Sequence, residues 1–162
     1  MTVEDPERVA RLRRLSMLYV RAPIYFVTAC TCARKNILAT AAVHEAFIKF
    51  GQGGPDLGAW IGSYVLIPDH LHLFVALDDR KLTLVRWMKS LKNTLSKTLR
   101  SQGVPAPHWQ KGFFDHVMRS GDSYSQKWDY VRENPVRAGL VSSWEKWPFR
   151  GEIFPLEYRS DD

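Results

Sequence analysis

The sequence predicts an α+β domain in which helices pack on an antiparallel β-sheet. Three observations lead to this prediction. Short runs rich in β-branched and aromatic residues alternate with longer segments whose apolar residues recur every three to four positions. The order of these segments along the chain is β-α-β-β-α-β-α. With 162 residues, of which 45% are hydrophobic and 12% aromatic, the chain has the size and composition of one globular domain.

The first half of the chain contains three predicted strands and one helix. Residues Ile24–Cys32 have the composition of a strand. Residues Thr40–Phe50 carry apolar side chains at helical spacing and end at a glycine-rich stretch. Two further strand-like runs, Ala59–Ile67 and Leu71–Leu77, are separated by a Pro-Asp pair that is typical of turns. We therefore expect a β-hairpin or a bent strand pair here.

The second half begins with Thr83–Arg100, an amphipathic helix with one apolar and one basic face. Phe113–Met118 is predicted to form a short edge strand, and Ser123–Glu133 a third helix. That helix should stop at an Asn-Pro pair, because the residue before proline disfavours the helical region. A further helical turn is expected at Val136–Leu140. This order predicts a ferredoxin-like sandwich with its helices on one face of the sheet.

The chain is expected to form one domain over residues 1–162, with a basic arm at 1–20 and a tail at 141–162. The aromatic residues of the tail should pack on the domain as a strap. No apolar stretch approaches the roughly 18 residues of a membrane span, and residues 1–16 lack the apolar segment of a secretory signal. We therefore expect a cytoplasmic protein. Cys30 and Cys32 are too few for a disulfide framework and are predicted to be small buried apolar residues.

The charge distribution favours a polyanionic partner. The formal net charge is +6, which suits nucleic acid without proving it. Between Arg80 and Val104 the chain has seven basic residues and no acidic residue.

Two motifs carry candidate chemistry. His70 and His72 are separated by one residue, so on a strand both imidazoles project from the same face, and neutral imidazole is the commonest metal ligand. Two hydrogen-bonded histidines without a metal would have the same spacing. Tyr130 lies in a predicted helix, where Gln126 and Lys127 share its face. By itself such a tyrosine is equally typical of core packing with the hydroxyl at the surface.

Together these motifs resemble a known family. The run PDHLHLFV resembles the His-hydrophobic-His signature of the single-tyrosine HUH transposases. The downstream run WQKGFFDHVMR…WDYVRENPVRAGLV is similar to the REP-associated tyrosine transposases. The resemblance extends from Tyr25 to the region of Trp147 and preserves the order of strand, histidine pair, basic helix and tyrosine motif. The Y-x-x-x-N-P-V-x-x-G spacing, combined with the histidine pair, makes it specific.

The resemblance implies an HUH transposase fold of ferredoxin-like type and a metal-dependent endonuclease or transposase acting on single-stranded DNA. The hydroxyl of Tyr130 would attack a phosphodiester, leaving a 5′-phosphotyrosine link and a free 3′-OH. The implied ligands of an Mg²⁺ or Mn²⁺ ion are His70, His72 and Asn134, where related transposases have glutamine in place of Asn134. Because Asn134 precedes Pro135, the helix must bend there to aim the amide at the metal.

The resemblance also implies supporting residues and partners. Lys127, Gln126 and His116 are candidates for phosphate holding or tuning of the tyrosine. Trp87 and Trp109 are candidates for stacking on bases. The expected DNA-backbone contacts are Arg86, Lys89, Lys97, Arg100, Arg11, Arg13 and Arg14.

The expected partner is single-stranded or hairpin DNA with REP-like repeats, bound by a nucleoid-associated monomer or homodimer. No membrane partner is expected, and no nucleotide cofactor, since no phosphate-binding loop motif is present. Two alternatives stay open. One is a catalytically idle DNA-hairpin-binding protein of the same fold. The other is an RNA-processing phosphoesterase with two H-x-[ST] motifs, which is disfavoured because the chain contains no such motif.

Overall fold

The computed structural model describes residues 23–156, which form a five-stranded antiparallel sheet with helices packed on it. The sheet has the strand order β4-β1-β3-β2-β5. The strands are β1 (Ile24–Cys30), β2 (Ala59–Ile67), β3 (His70–Leu77), β4 (Phe114–Met118) and β5 (Arg150–Glu152). The helices are α1 (Ala41–Gly53), α2 (Leu84–Ser101), α3 (Gly121–Val131) and the short α4 (Asn134–Arg137). The predicted α+β class and ferredoxin-like arrangement are confirmed.

The helices begin where a hydroxyl side chain caps the first turn. Thr40 and Thr83 each accept a hydrogen bond from a backbone N–H three residues later, at the starts of α1 and α2. Ser120 does the same at the start of α3, which therefore begins two residues before the predicted Ser123. The capping hydroxyl, rather than the apolar periodicity, determines where α3 starts.

One face of the sheet packs against α1 and α2. From β3, this face presents Leu71, Leu73 and Val75, which have no solvent-exposed surface. Leu91 and Leu95 of α2 are buried in the same cluster. This layer corresponds to the predicted sandwich, with the apolar face of α2 turned to the sheet and its charged face to solvent.

The opposite face of the sheet is covered by α3, so the expectation that all helices lie on one face is wrong. Tyr124 packs on Phe74 of β3 with ring centroids 4.2 Å apart, and its hydroxyl accepts a hydrogen bond from the Ser63 backbone at 3.1 Å. Val131 is buried in the same cluster as Phe26. The physical reason is that this face also carries large apolar side chains, which would be left in water without a second helical layer.

The tail packs on the domain as predicted and adds a strand that the sequence did not reveal. The indole of Trp147 donates a hydrogen bond to the Leu66 carbonyl at 2.9 Å, and the Leu66 N–H donates to Phe149 at 2.8 Å. Strand β5 then pairs with the outer edge of β2. A three-residue strand is too short to show a periodic pattern.

The structure also bears on the expectations for the two cysteines and for membrane-spanning helices. Both cysteines are free; Cys30 is buried, whereas Cys32 lies in a helical turn and is only partly buried, so the prediction of two buried residues holds for Cys30 alone. Among residues 23–156, none of the helices combines the length and apolarity that crossing a bilayer would require. The N-terminal arm with Arg11, Arg13 and Arg14 lies outside the described residues.

Candidate functional site

The two imidazoles of β3 lie side by side on the face of the sheet that α3 covers. In the register of the sheet, His72 is opposite Thr28 and His70 is opposite Cys30. The two ring centroids are 4.8 Å apart, and the rings are nearly perpendicular. The spacing of one residue therefore produces the common orientation that strand geometry predicts.

Each imidazole is held through its Nδ1 atom. The Nδ1 of His70 lies 2.7 Å from the carboxylate of Asp69, whose second oxygen accepts a hydrogen bond from Arg34 at 2.9 Å. Because a carboxylate only accepts, the Nδ1 of His70 donates in this hydrogen bond, and Nε2 is the ring nitrogen left for another partner. His72 contacts the Thr28 hydroxyl through Nδ1 at 2.8 Å, which leaves its Nε2 as the second outward nitrogen.

These orienting partners are residues that the sequence-based reasoning missed. Asp69 was assigned only to a turn, and Arg34 and Thr28 were given no role. The signal available for Asp69 was its position directly before His70, since a carboxylate–histidine–metal arrangement is a recurring way to orient a ligand. Thr28 and Arg34 become visible only once β1 pairs with β3.

The environment keeps His72 neutral. Burial, together with smaller contributions from positive charge on His70, Lys127, Arg137 and Arg34, lowers the pKa of His72 to about 3. A neutral ring at physiological pH has the lone pair that a metal ligand needs. The same cations form a positive environment that favours a phosphate group.

Asp69 stays ionised beside the imidazole pair. Burial alone would raise the pKa of its carboxyl, but hydrogen bonds from His70 and Arg34 outweigh burial and lower the pKa below its ordinary value. An ionised Asp69 is the stronger acceptor for His70.

Acidification is expected to destabilise the metal-free protein through His72. The folded pKa is about 3, whereas an unfolded histidine has a pKa near 6.5, so this contribution to stability is complete above about pH 6.5 and is lost as the pH falls toward 3. Between these values the free energy of unfolding should fall by up to about 1.4 kcal/mol per pH unit from this group. Urea unfolding at several pH values measures the slope. His72→Gln removes the titrating ring and should have a shallower slope; an equal slope in both proteins would contradict the assignment.

Helix α3 brings Lys127 to the imidazole face. The ammonium of Lys127 lies 4.8 Å from the centroid of the Phe26 ring, and Phe26 in turn stacks on His72 with centroids 5.3 Å apart. Lys127 thus lies close enough to His72 for its charge to act on that ring. Gln126 is exposed on the same helix.

Tyr130 lies near the end of α3, is 63% exposed and contacts Arg137. The guanidinium of Arg137 lies 4.1 Å from the centroid of the tyrosine ring and donates a hydrogen bond to the Tyr130 carbonyl at 2.8 Å. It also donates to the Asn134 side chain. Arg137 therefore joins the tyrosine to the residue four positions later, and sequence reasoning missed it although it lies within the N-P-V-x-x-G motif.

The donor set fits a divalent ion only in part. His70 and His72 present two neutral nitrogens on one face, which suits a metal that keeps open positions for phosphate oxygens. Asn134 is the first residue of α4, and Pro135 lies in the first turn of that helix. Helix α3 ends at Val131, two residues before the predicted Glu133. The amide oxygen of Asn134 accepts a hydrogen bond from Arg137. Within residues 23–156, no cluster of three or more His, Cys, Asp and Glu residues forms a complete protein cage.

Of the other predicted site residues, His116 lies on the imidazole face, whereas Trp87 and Trp109 pack in or against the core. His116 lies on edge strand β4 opposite Phe26, exposed and on the imidazole face. Trp87 is only 1% exposed, so the expectation that it stacks on bases is wrong: its indole fills the core under α1. Trp109 packs against the same core and donates its N–H to Ser96 and to the Lys92 carbonyl.

The predicted basic stripe is exposed but lies on the other side of the sheet from the imidazole pair. Its four residues project from α2, whose apolar face packs on the opposite face of the sheet. Among the described residues 23–156, none of them forms an ion pair. The structure therefore places these four residues away from the imidazole pair. They are Arg86, Lys89, Lys97 and Arg100.

Comparison with known proteins supports the resemblance. No family model matches the chain. A REP-associated tyrosine transposase of Escherichia coli K12 is 24% identical over 155 residues, covering 88% of both proteins. A putative REP-associated tyrosine transposase of Haemophilus influenzae is 22% identical over 161 residues, covering 86% of this chain and 89% of the relative.

Solved structures share the fold. A REP-associated tyrosine transposase bound to a REP hairpin superposes with a TM-score of 0.63 at 24% identity, over 88% of each chain. A putative transposase of Deinococcus radiodurans gives a TM-score of 0.52 at 16% identity, over 71% of this chain and 92% of the other. The sequence resemblance is thereby confirmed: over most of its length the chain is similar in sequence and fold to REP-associated tyrosine transposases.

Proposed function

We propose that this chain is a metal-dependent endonuclease and strand transferase for single-stranded DNA, with Tyr130 as its nucleophile. One observation supports this proposal most: α3, which carries Tyr130, packs on the same sheet face as the imidazole pair. Arg137 contacts the ring of Tyr130 and acts electrostatically on His72, which supports assigning the tyrosine and the histidines to one positively charged site. The relatives with transposase names cover most of the chain, which agrees with the proposed reaction class.

The proposed reaction is an exchange of phosphodiester bonds. The oxygen of Tyr130 attacks phosphorus, the bond from phosphorus to the 3′ oxygen breaks, and the departing oxygen takes up a proton as the tyrosine loses one. A tyrosine hydroxyl is a weak nucleophile until it is activated, so the reaction needs help from neighbouring groups. His70, His72 and Asn134 would hold Mg²⁺ or Mn²⁺, which supplies polarisation of the phosphate and stabilisation of the departing oxygen.

The cations of this chain take the other roles in the proposal. Lys127 and Arg137 draw the scissile phosphate to the imidazole face, and Gln126 and His116 line its approach. Arg137 also contacts the ring of Tyr130 and holds it in place. Because a covalent intermediate conserves the bond energy, rejoining of strands needs no nucleotide cofactor.

The proposed substrate is DNA with hairpin-forming, REP-like repeats. The solved REP-associated tyrosine transposase that shares this fold is bound to a REP hairpin, and this chain has a net charge of +6. The stripe on α2 would contact the backbone of duplex DNA at a distance from the imidazole pair, together with the N-terminal arginines, and affinity should fall steeply with salt. Such a protein would act at the nucleoid as a monomer or homodimer.

The test is a search for a covalent protein–DNA adduct. The chain is incubated with hairpin-bearing single-stranded DNA and Mn²⁺, and the products are separated under denaturing conditions. Because the link is a 5′-phosphotyrosine, a 3′-end label should remain with the protein, whereas a 5′-end label should appear on a released fragment with a free 3′-OH. Chelation of the metal should prevent both products. Tight hairpin binding without any adduct would instead favour the catalytically idle binding protein.

A further inference from the structure

Phe114 is a large apolar side chain that the fold leaves in water. It lies on edge strand β4 and is 71% exposed, more than any other large hydrophobic residue of the described part of the chain. Its neighbour Phe113 packs against the core cluster under α1 and α2. The alternation of a strand therefore turns Phe114 toward the opposite face, where it contributes little to the stability of the domain.

That face is the one that carries the imidazole pair. In the sheet register Phe114 is directly opposite Thr28, and Thr28 is directly opposite His72. Residues opposite each other in antiparallel strands project from the same face. The three side chains thus form one row across β4, β1 and β3, and two strand spacings of about 4.8 Å separate the backbone at Phe114 from the backbone at His72.

The surroundings of Phe114 are positively charged at both ends of its strand. Lys111 precedes β4 and Arg119 follows it, and both are exposed. His116 projects from the same face as Phe114, two residues along the strand. An exposed aromatic ring among cations is the combination with which proteins bind single-stranded nucleic acid, since cations follow the backbone and aromatic rings stack on bases.

We propose that Phe114 is a stacking platform for a nucleobase of single-stranded DNA, next to the phosphate that lies at the imidazole pair. The inference rests on the proposed function for the identity of the nucleic acid, and it adds a base-binding site to the phosphate-binding one. Stacking on a ring is tolerant of base identity, because every base has a π-face. Phe114 would therefore hold the strand in register without selecting its sequence.

The experiment measures binding apart from cleavage. All variants carry Tyr130→Phe and are studied without metal, and affinity for a single-stranded oligonucleotide is followed by fluorescence anisotropy. Phe114→Ala should weaken binding by about tenfold, the effect expected for losing one stacked base, whereas Phe114→Trp should keep it. Val85→Ala is the matched control: Val85 is 68% exposed on α2, on the other side of the sheet, and its loss should change nothing.

A second readout reports stacking itself. Oligonucleotides with 5-iodouracil at successive positions are irradiated on the protein, and the cross-linked peptide is identified by mass spectrometry. We expect attachment at Phe114 from one position of the strand, and loss of that attachment in Phe114→Ala. Unchanged affinity in Phe114→Ala, together with no cross-link to this residue, would overturn the proposal.

Two further outcomes are distinct. If Phe114→Ala changes the protein from dimer to monomer while DNA affinity is unaffected, edge strand β4 is an interface between copies and the platform is refuted. The wild type could also fail to form a covalent adduct, while Phe114→Ala still weakens binding and the cross-link still forms at Phe114. In that case the proposed cleavage function is refuted and the base-binding site is supported.

Discussion

Tyr130→Phe is expected to abolish the covalent protein–DNA adduct while hairpin binding stays unchanged. The substitution removes only the oxygen that would attack phosphorus. The ring remains, and with it the contact that Arg137 makes 4.1 Å from its centroid, so the end of α3 should keep its position. Loss of a covalent nucleophile lowers the rate by several orders of magnitude, because no other group forms the intermediate. The measurement is adduct formation with 3′-end-labelled DNA, beside a mobility-shift titration of the same hairpin.

Tyr25→Phe provides the matched control for this prediction. Tyr25 is a partly buried tyrosine of β1 that packs on the opposite side of the sheet, against the α1 and α2 layer. Its variant should form the adduct as the wild type does. A Tyr130→Phe protein that still links to DNA would show that another residue is the nucleophile.

His70→Ala is expected to lower the affinity for Mn²⁺ by at least about a hundredfold, measured without DNA by the electron paramagnetic resonance signal of the free ion. The reason is that the adjacent pair His70 and His72 supplies the two imidazole nitrogens of the proposed site, so losing one removes half of them. Loss of an orienting partner typically costs about 10–100-fold in metal affinity, and loss of a ligand should cost more. Asp69→Ala, which frees the Nδ1 of His70, should therefore lie between His70→Ala and the wild type.

The control for the metal prediction is His44→Gln. His44 is bonded to the Tyr64 hydroxyl at 2.7 Å on the α1 side of the sheet, far from the imidazole pair in the topology. Its variant should bind Mn²⁺ as the wild type does. If His70→Ala also binds Mn²⁺ normally, His70 is not a ligand, and the pair is a hydrogen-bonded structural feature.

The sequence by itself determined most of the elements and the chemistry of the histidine pair. The strand-like runs of β2 and β3 and the apolar spacing of α2 are local patterns, and the caps at Thr40 and Thr83 are local hydrogen bonds. The common direction of His70 and His72 follows from the pleat of a strand and needs no partner. The link from the histidines to Tyr130 came from a family resemblance, because no local rule joins residues so far apart in the chain.

Only the tertiary structure decided which groups surround these residues. Long-range packing determines which side of the sheet α3 covers and how Arg137 contacts Tyr130. It also determines that Trp87 is buried and that Phe114 is exposed. The periodicity of a sequence indicates which side chains share a face of a helix or strand, but not which part of the protein that face packs against. The same limit explains why a basic stripe visible in the sequence proved to lie across the sheet from the site, since the layer a helix joins is set by the strands it covers and not by its own residues.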